Sequence, residues 1–374
     1  MIWQKRENVS LDAVGDCMTR RVTVKDIASK MGISLSTVNK ALTGKPGVSE
    51  ERRAEVIAVA REMGYVVNHV AQSLSRKPIH IGIVIPSDWQ QYFASVEYGM
   101  QVQLGKLAQS NVHGTLLHVG SKEDIPGAFE RLYRDKADII LYCPSLYELP
   151  ENFGGYVAGK GVPVFVVGND CDSLDSACTV SVDAKLAGSM AADFLQSMLP
   201  PGGKVAVFTG SRDMSAHMDK ANAFLDRARE LGLNPVGMYE TFDNAEIVVQ
   251  SLDKMQAEYP DVSGIFVATG ITRPVVDYFN RENTGKCPCL VATDLYDGIR
   301  QDMENRLVQG TIFQNQVLMG RLAVKMAYRY VVGITSYNTS GNDFSDRINV
   351  LPQLFLASNV KNFTLDDGND YTLA

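Results

Sequence analysis

The chain has 374 residues, of which 45% are hydrophobic and 21% charged, and its formal net charge is −7. This length allows two or three domains with buried cores, and the composition is that of an ordinary globular protein, not of a disordered or fibrous one. The chain contains no apolar run of about 18 residues, so the sequence predicts no membrane-spanning helix. Its N-terminal segment lacks the features of a secretory signal, and we therefore expect a cytoplasmic protein.

Cysteine spacing gives no sign of a metal site. The closest pair, Cys287 and Cys289, is separated by one residue and has no neighbouring histidine or second pair to complete a coordination set. We expect reduced, structural cysteines, no metal and no cofactor. The six cysteines are Cys17, Cys143, Cys171, Cys178, Cys287 and Cys289.

Residues 1–21 precede the first recognisable pattern and are expected to form a disordered extension, unless Met18 is the true start. The segment over residues 22–42 then predicts two short helices joined by a tight turn. Gly32 can adopt the left-handed conformation that ends the first helix, and Ser34 is suited to cap the second. Both helices carry an apolar stripe at the spacing that faces a partner helix, formed by Ile27, Ala28, Met31, Val38, Ala41 and Leu42.

The second helix also presents Leu35, Ser36, Thr37, Asn39 and Lys40 between its apolar positions. Small hydrogen-bonding side chains with a cation suit a helix that lies in the major groove and contacts base edges. The pattern therefore predicts a helix-turn-helix, although any small helical hairpin has a similar apolar spacing.

The sequence beyond this hairpin predicts two more helical stretches. Ser49 caps a third helix with an acidic first turn, and Gly64 follows the end of that helix. A further short helix is expected over residues 68–75. From Arg20 to Lys77 there are eleven Lys and Arg against five Asp and Glu, so a basic head precedes an acidic remainder. That division suits phosphate contacts made by the head alone.

Across residues 22–77 the chain resembles the DNA-binding headpiece of the lactose-repressor (LacI/GalR) family of transcriptional regulators. The resemblance covers all four helices and their spacings, through Val22, Thr23, Asp26, Ala28, Gly32, Ser34, Thr37, Val38, Val48, Ser49, Gly64, Tyr65, Asn68, Ala71 and Leu74. It implies a helix-turn-helix headpiece over residues 22–67. It also implies a hinge helix and linker over residues 68–78, with the hinge helix in the minor groove of a paired half-site.

The resemblance further implies a role for the matched positions. The positions where the family reads bases are Leu35, Ser36 and Lys40, and those where it holds phosphates are Thr23, Ser34, Thr37 and Asn68. Leu74 falls at the wedge that opens a base step. The predicted DNA-binding residues are Thr23, Ser34, Leu35, Ser36, Thr37, Asn39, Lys40, Ser49, Asn68, His69, Ala71 and Leu74.

From residue 79 onward, apolar runs of strand length alternate with amphipathic helical stretches. Buried apolar strands separated by helices indicate a parallel sheet with helices on both faces. Two such series predict a core of two doubly wound lobes, with ligand between them at the carboxyl ends of the strands. The runs are IHIGIVIP, GTLLHVG, ADIILYCP and VPVFVVGND in the first series, and GKVAVFTG, NPVGMYET, GIFVATG and CLVATD in the second.

Polar and aromatic side chains follow several of these strands. Carboxylates and amides bind vicinal hydroxyl groups, and aromatic rings stack on the C–H face of a sugar ring, so the cleft suits a sugar, polyol or sugar acid. The predicted effector-binding residues are Asp88, Trp89, Tyr92, Phe93, Asn169, Asp170, Arg212, His217, Lys220, Thr269, Asp294 and Gln314.

This half of the chain, to about residue 360, resembles the sugar-binding periplasmic-type fold that relatives of the lactose repressor carry as an effector domain. Asp294 and Gln314 are its best-matched residues. His217 or Lys220 stands where the family usually has a ligand-binding arginine, and Thr269 stands where it more often has an asparagine. The implied core, residues 79–374, has a first lobe over about 79–179 and 315–337 and a second over about 180–314 and 338–362.

We therefore predict an effector-responsive transcriptional regulator, acting as a repressor, that binds a near-palindromic double-stranded DNA operator as a homodimer. The alternative is a solute-binding receptor for a sugar without regulatory DNA binding, for which a signal peptide would be the mark. An enzyme is not expected, since the sequence shows no dinucleotide fingerprint, P-loop or nucleophile elbow. A protein corepressor in place of a small effector stays open at this point.

Overall fold

The computed structural model describes residues 22–42, 47–63, 77–87, 90–145, 149–281, 287–296, 298–333, 346–361 and 363. The chain divides into two compact units, Met1–Ser75 and Arg76–Ala374. The predicted extension over residues 1–21 lies outside the described residues. So do six predicted site residues, namely Asn68, His69, Ala71, Leu74, Asp88 and Trp89.

The first unit contains three described helices, which we name α1 (Val24–Met31), α2 (Leu35–Leu42) and α3 (Glu50–Glu62). Thr23 begins α1 with a capping box, because its backbone N–H donates to Asp26 Oδ2 at 2.7 Å and its side chain accepts from the Asp26 N–H. Gly32 ends α1 in the left-handed region at φ 64°. The hairpin predicted from the sequence therefore forms with the predicted caps.

The apolar stripes of these helices meet in one small core. Each of the three helices contributes two buried side chains, so no single pair of helices forms the core alone. The six residues are Ile27, Ala28, Val38, Ala41, Val56 and Ala60.

The second unit contains two six-stranded sheets. The first sheet has the order β11-β5-β4-β3-β1-β2 and every neighbouring pair is parallel. Its strands are β1 (Ile79–Pro86), β2 (Val112–Val119), β3 (Ile139–Tyr142), β4 (Val164–Gly168), β5 (Cys178–Val182) and β11 (Arg347–Val350). The helices of this half are α4 (Gln90–Leu107), α5 (Asp124–Arg134), α6 (Phe153–Lys160) and α12 (Gln316–Val331).

The second sheet has the order β12-β10-β9-β8-β6-β7, with β12 antiparallel to β10 at the edge. Its strands are β6 (Lys204–Thr209), β7 (Asn234–Glu240), β8 (Gly264–Val267), β9 (Cys289–Thr293), β10 (Gly310–Phe313) and β12 (Gln353–Phe355). The helices of this half are α7 (Ala184–Met198), α8 (Ser215–Glu230), α9 (Ala245–Glu258), α10 (Arg273–Arg281), α11 (Ile299–Glu304) and α13 (Ala357–Val360). The predicted architecture of two lobes with doubly wound sheets is confirmed.

Two strands shift the predicted lobe boundaries. The first sheet contains β5, which runs to Val182, and also β11, which pairs with β5 in parallel register. The segment after residue 337 was assigned wholly to the second lobe, but its strand β11 lies in the first sheet. Within the described part of the segment after residue 337, the chain joins the second sheet only from β12 onward.

Each lobe contains a pair of helices that cross at glycines. Gly99 on α4 and Gly320 on α12 pack against each other's helix, since a Cβ on Gly99 would lie 2.1 Å from Val317 O and one on Gly320 would lie 2.0 Å from Val96 O. In the second lobe a Cβ on Gly188 would lie 2.0 Å from Lys220 O. The backbones therefore approach more closely than any side chain permits. Among the helices described, none is long and apolar enough to cross a membrane.

Candidate functional site

A cavity of about 400 Å³ lies between the two lobes. Parallel strands of both sheets end at this cavity. Its lining comes from residues at the carboxyl ends of strands, from the segments that follow them, and from the N-terminal turns of α4 and α8. A crevice outside the carboxyl ends of parallel strands is the usual ligand position in open α/β sheets, and the volume suits a small molecule.

Eight of the predicted effector residues line this cavity, namely Tyr92, Phe93, Asn169, His217, Lys220, Thr269, Asp294 and Gln314. Phe93 is buried and meets the Tyr92 ring edge to face at 5.1 Å between centroids. Met214 and Ile271 add apolar surface from the second lobe. The cavity lining therefore combines aromatic and apolar side chains with polar groups, and both lobes contribute to each kind.

Asp294 and Gln314 form the centre of a buried hydrogen-bond network. The backbone N–H of Gln314 donates to Asp294 Oδ1 at 2.9 Å, and its side-chain Nε2 donates to Asp294 Oδ2 at 2.6 Å. Tyr296 donates its hydroxyl to the same Oδ2 at 2.9 Å. These two residues thus bind each other directly, which gives them a role in holding the shape of the cavity.

Lys220 is buried beside this network. Its Nζ donates to Ala268 O at 2.9 Å and to Gln314 Oε1 at 3.1 Å. Burial lowers the pKa of Lys220 to about 8, while the nearby carboxylates of Asp294 and Asp243 act in the opposite direction. The ammonium form is therefore retained at neutral pH, paired with the carboxylates of the cavity.

His217 lies in the first turn of α8. The backbone N–H of Ser211 donates to His217 Nδ1 at 3.2 Å, so the neutral ring carries its proton on Nε2. Burial, assisted by the positive charge of Lys220, lowers the pKa of His217 well below its ordinary value. The imidazole is therefore uncharged and contributes one N–H donor.

Asp243 is a lining residue that the sequence analysis missed. It follows β7 by three residues, and burial raises its carboxyl pKa. Asp243 Oδ1 and the hydroxyl of Thr269 are buried and make no hydrogen bond of normal length with the described residues, although Thr269 and Lys220 lie close enough to Asp243 to offset part of the rise in its pKa. A buried oxygen without a partner costs free energy, so a ligand gains the most binding free energy by forming hydrogen bonds to these two groups.

The backbone at Asp243 is also unusual. Phe242 and Asp243 have φ values of 49° and 52°, and Asp294 has 66°, in the left-handed region that side chains other than glycine rarely occupy. Both aspartates line the cavity. Strained backbone of this kind concentrates at binding sites, where it aims side chains that a relaxed loop would turn away.

Among the described residues, two predicted effector residues, Asp170 and Arg212, do not line the cavity. Arg212 turns to Glu240, which accepts from the Arg212 backbone N–H at 2.7 Å and whose Oε2 lies 3.5 Å from Arg212 Nε. Asp170 pairs with Arg347 and accepts from the Ser215 hydroxyl at 3.4 Å, a contact between the two lobes. Both side chains have stronger partners within the protein than the cavity offers.

The first unit has a polar face of its own. On α2 the side chains of Leu35, Ser36, Asn39 and Lys40 are exposed, while Val38 and Ala41 are buried in the headpiece core. The predicted base-reading side chains therefore share one outward face of a short helix. That arrangement is what insertion of a helix into the major groove requires.

Three of the predicted phosphate-contacting or cap residues have local partners. Thr23 caps α1, Ser34 accepts from the Thr37 backbone N–H at 3.0 Å, and Ser49 accepts from the Arg52 backbone N–H at 3.3 Å. These hydroxyls fix the helix N-termini, whose N–H groups are themselves suited to phosphates.

A two-lobed cleft and a separate helical unit with a polar recognition face define a ligand-binding DNA-binding protein. Comparison with known families agrees with both parts. The family "Bacterial regulatory proteins, lacI family" matches residues 23–68, and "Periplasmic binding protein domain" matches residues 156–335. The chain therefore carries a LacI-family helix-turn-helix domain and a periplasmic-binding-protein-like domain, and the resemblance read from the sequence is confirmed.

The relatives in sequence include transcriptional regulators. The ribose operon repressor of Bacillus subtilis (strain 168) is 23% identical over 309 residues, which cover 81% of this chain and 90% of the repressor. Catabolite control protein A of Priestia megaterium is 23% identical over 256 residues, covering 66% of this chain and 74% of that protein.

The similar solved structures show the fold of the core. The arabinose-binding protein AraP of Geobacillus stearothermophilus has a TM-score of 0.66 at 18% identity, covering 77% of this chain and all of that one. A periplasmic ribose ABC transporter protein of Conexibacter woesei DSM 14684 has a TM-score of 0.67 at 16% identity, covering 77% and 95%. The chain is thus a DNA-binding transcriptional regulator with a ligand-binding core.

Proposed function

We propose that this regulator acts as a homodimeric repressor of a near-palindromic operator, controlled by a sugar, polyol or sugar acid bound between the lobes. The observation that supports this class of ligand is the cavity, whose lining combines buried polar groups with aromatic and apolar side chains. A sugar ring has both faces, with hydroxyl groups around its edge and C–H groups above and below. We do not propose an enzymatic activity.

Ligand between two lobes couples binding to lobe closure. The lobes are already connected by the Ser215–Asp170 hydrogen bond, and residues of both lobes line the cavity. A ligand that contacts both lobes favours the closed arrangement by its differential affinity, and only such a difference can change the state that binds DNA. The similar proteins include a ribose operon repressor and an arabinose-binding protein, which supports this ligand class.

The proposed recognition helix is tested by Lys40→Ala. Lys40 is exposed on the outer face of α2, and loss of a base contact is expected to cost about 1–3 kcal/mol on the preferred operator and little on altered ones. Fluorescence anisotropy with the selected operator and with single-base variants of it measures this difference.

The matched control is Lys106→Ala, which removes one exposed cation from α4 in the core. It is expected to leave sequence preference unchanged. An equal loss on every sequence for Lys40→Ala would show that Lys40 holds a phosphate, and would contradict its assignment to base reading.

A further inference from the structure

The described residues that line the cavity carry no net positive charge. Its ionisable lining side chains are Lys220, Asp243, Asp294 and His217, together with the phenols Tyr92 and Tyr296. His217 is uncharged, since its pKa lies well below neutrality. One ammonium group therefore faces two carboxyl groups, and no arginine occurs among the described residues that line the cavity.

The ammonium group of Lys220 is already engaged. Two of its three N–H donors go to Ala268 O and Gln314 Oε1, and its charge faces Asp294 and Asp243. A ligand anion would have to compete with two fixed carboxyl groups for this one cation. Repulsion from those two groups opposes the attraction of the single ammonium group for an anion.

Two further sources of positive potential near the cavity, Arg212 and the N-terminus of α8, are also occupied. Arg212 lies against Glu240. The N-terminus of α8, which carries the partial positive charge of the helix dipole, begins at Ser215, and the Ser215 hydroxyl donates to the Asp170 carboxylate. The protein thus supplies its own anion at the helix end that would otherwise attract one from a ligand.

The groups left open in the cavity are acceptors or hydroxyls. Asp243 Oδ1 makes no hydrogen bond of normal length with the described residues, and a carboxylate oxygen accepts hydrogen bonds; Thr269 and Lys220 favour the charged form of this group, against the effect of burial. Thr269 Oγ1, which likewise makes no hydrogen bond of normal length with the described residues, can accept or donate. A Cβ on Gly210 would lie 2.7 Å from Asp243 Oδ2 and 2.5 Å from the His217 ring, so only glycine lets both side chains take these positions.

We infer that the effector is an uncharged polyhydroxyl compound that donates a hydroxyl group to Asp243, and that sugar acids and sugar phosphates are rejected. This inference rests on the proposed function, since it specifies the ligand of the same cleft. Asp243 is the residue that sets the charge preference, because it brings a second carboxyl group to a cavity with a single cation.

Matched compounds with one carbon skeleton test the charge preference. Calorimetric titration of the full chain uses D-glucose, D-glucuronate and D-glucosamine, then D-galactose with its uronate and amine, then D-ribose with ribonate and ribose 5-phosphate, and finally myo-inositol. The expected result is binding by an uncharged member and at least about tenfold weaker binding by its acid or phosphate. Tighter binding of any charged member than of its uncharged counterpart would overturn the inference and leave the effector cleft in place.

The variant Asp243→Asn tests the proposed hydrogen bond between the ligand and Asp243. The amide keeps the shape but replaces a charge-assisted hydrogen bond by a neutral one, so affinity for the uncharged ligand is expected to fall about 10–100-fold, while the acid binds no worse than before. Asp213→Asn, an exposed change outside the cavity lining, is the control. If Asp243→Asn fails to fold, as judged by thermal melting, Thr269→Val serves as the second variant, with the same expected loss.

Different results would overturn the role of Asp243 and the control of the regulator by an effector. Unchanged affinity of Asp243→Asn for the uncharged ligand would overturn the role of Asp243. If no compound of the panel bound while the full chain still bound its operator, the effector part of the proposed function would be wrong, and the inference with it.

Discussion

Replacing Lys220 with methionine is expected to abolish ligand binding and to lower the unfolding free energy of the core by about 3–5 kcal/mol. The side chain is 3% exposed, and methionine fills a similar volume without the charge. Its loss leaves the Asp294 and Asp243 carboxyl groups facing each other in the cavity, and Gln314 Oε1 and Ala268 O without their donor. Urea denaturation with ligand titration measures both effects.

The pH dependence of stability tests whether Lys220 titrates as a buried group. Burial lowers the Lys220 pKa to about 8 from an ordinary 10.5, so between these values the unfolded chain binds more protons than the folded one. Stability contributed by this group therefore rises with pH across that window and is level below it. The difference in unfolding free energy between wild type and Lys220→Met should show this rise from pH 8 upward. A difference that is flat with pH would contradict a buried titrating lysine.

Replacing Gly99 with alanine is expected to destabilise the first lobe by about 1–3 kcal/mol or more, because overpacking at a fixed backbone contact forces two elements apart. The added Cβ would lie 2.1 Å from the Val317 carbonyl oxygen, and α4 would have to move away from α12. Chemical denaturation of the full chain measures the loss. Ligand affinity should fall as well, since Phe93 lies in α4 and Gln314 lies two residues before α12.

Gly105→Ala on the same helix is the matched control. No atom lies within 4 Å of a Cβ at this position, which is exposed. Alanine lowers the conformational entropy of the unfolded chain and should stabilise the protein by about 0.5–1 kcal/mol. Equal effects of the two alanines would show that the crossing of α4 and α12 does not depend on Gly99.

The sequence alone predicted most of the fold because long apolar strands and capped helices carry strong local patterns. It failed at β5, where Thr179 and Ser181 interrupt the apolar run although both are buried. It also failed at β11, a short strand with mostly exposed side chains, whose place is set by pairing with β5 and not by its own residues.

The candidate site shows the same limit. Strand-end positions can be read from the sequence, and eight of the proposed residues reach the cavity. Which strand-end side chain points inward depends on its neighbours in space. Glu240 at the end of β7 holds Arg212 from the end of β6, and no local pattern reveals that these strands are adjacent. Asp243 carried a usable signal, as a carboxylate following a strand, but its position also suits the cap of α9.

The central claim is that this chain binds a specific operator and that a ligand bound to its core changes this binding. Selection of genomic DNA fragments by the full-length protein tests the claim most directly. The fragments are sequenced after selection with and without the compound that binds the core. The account predicts a shared near-palindromic motif whose recovery changes at least about tenfold with that compound, a coupling of roughly 1.4 kcal/mol. Fragments without a common motif, or a motif recovered equally with and without every compound that binds the core, would contradict it.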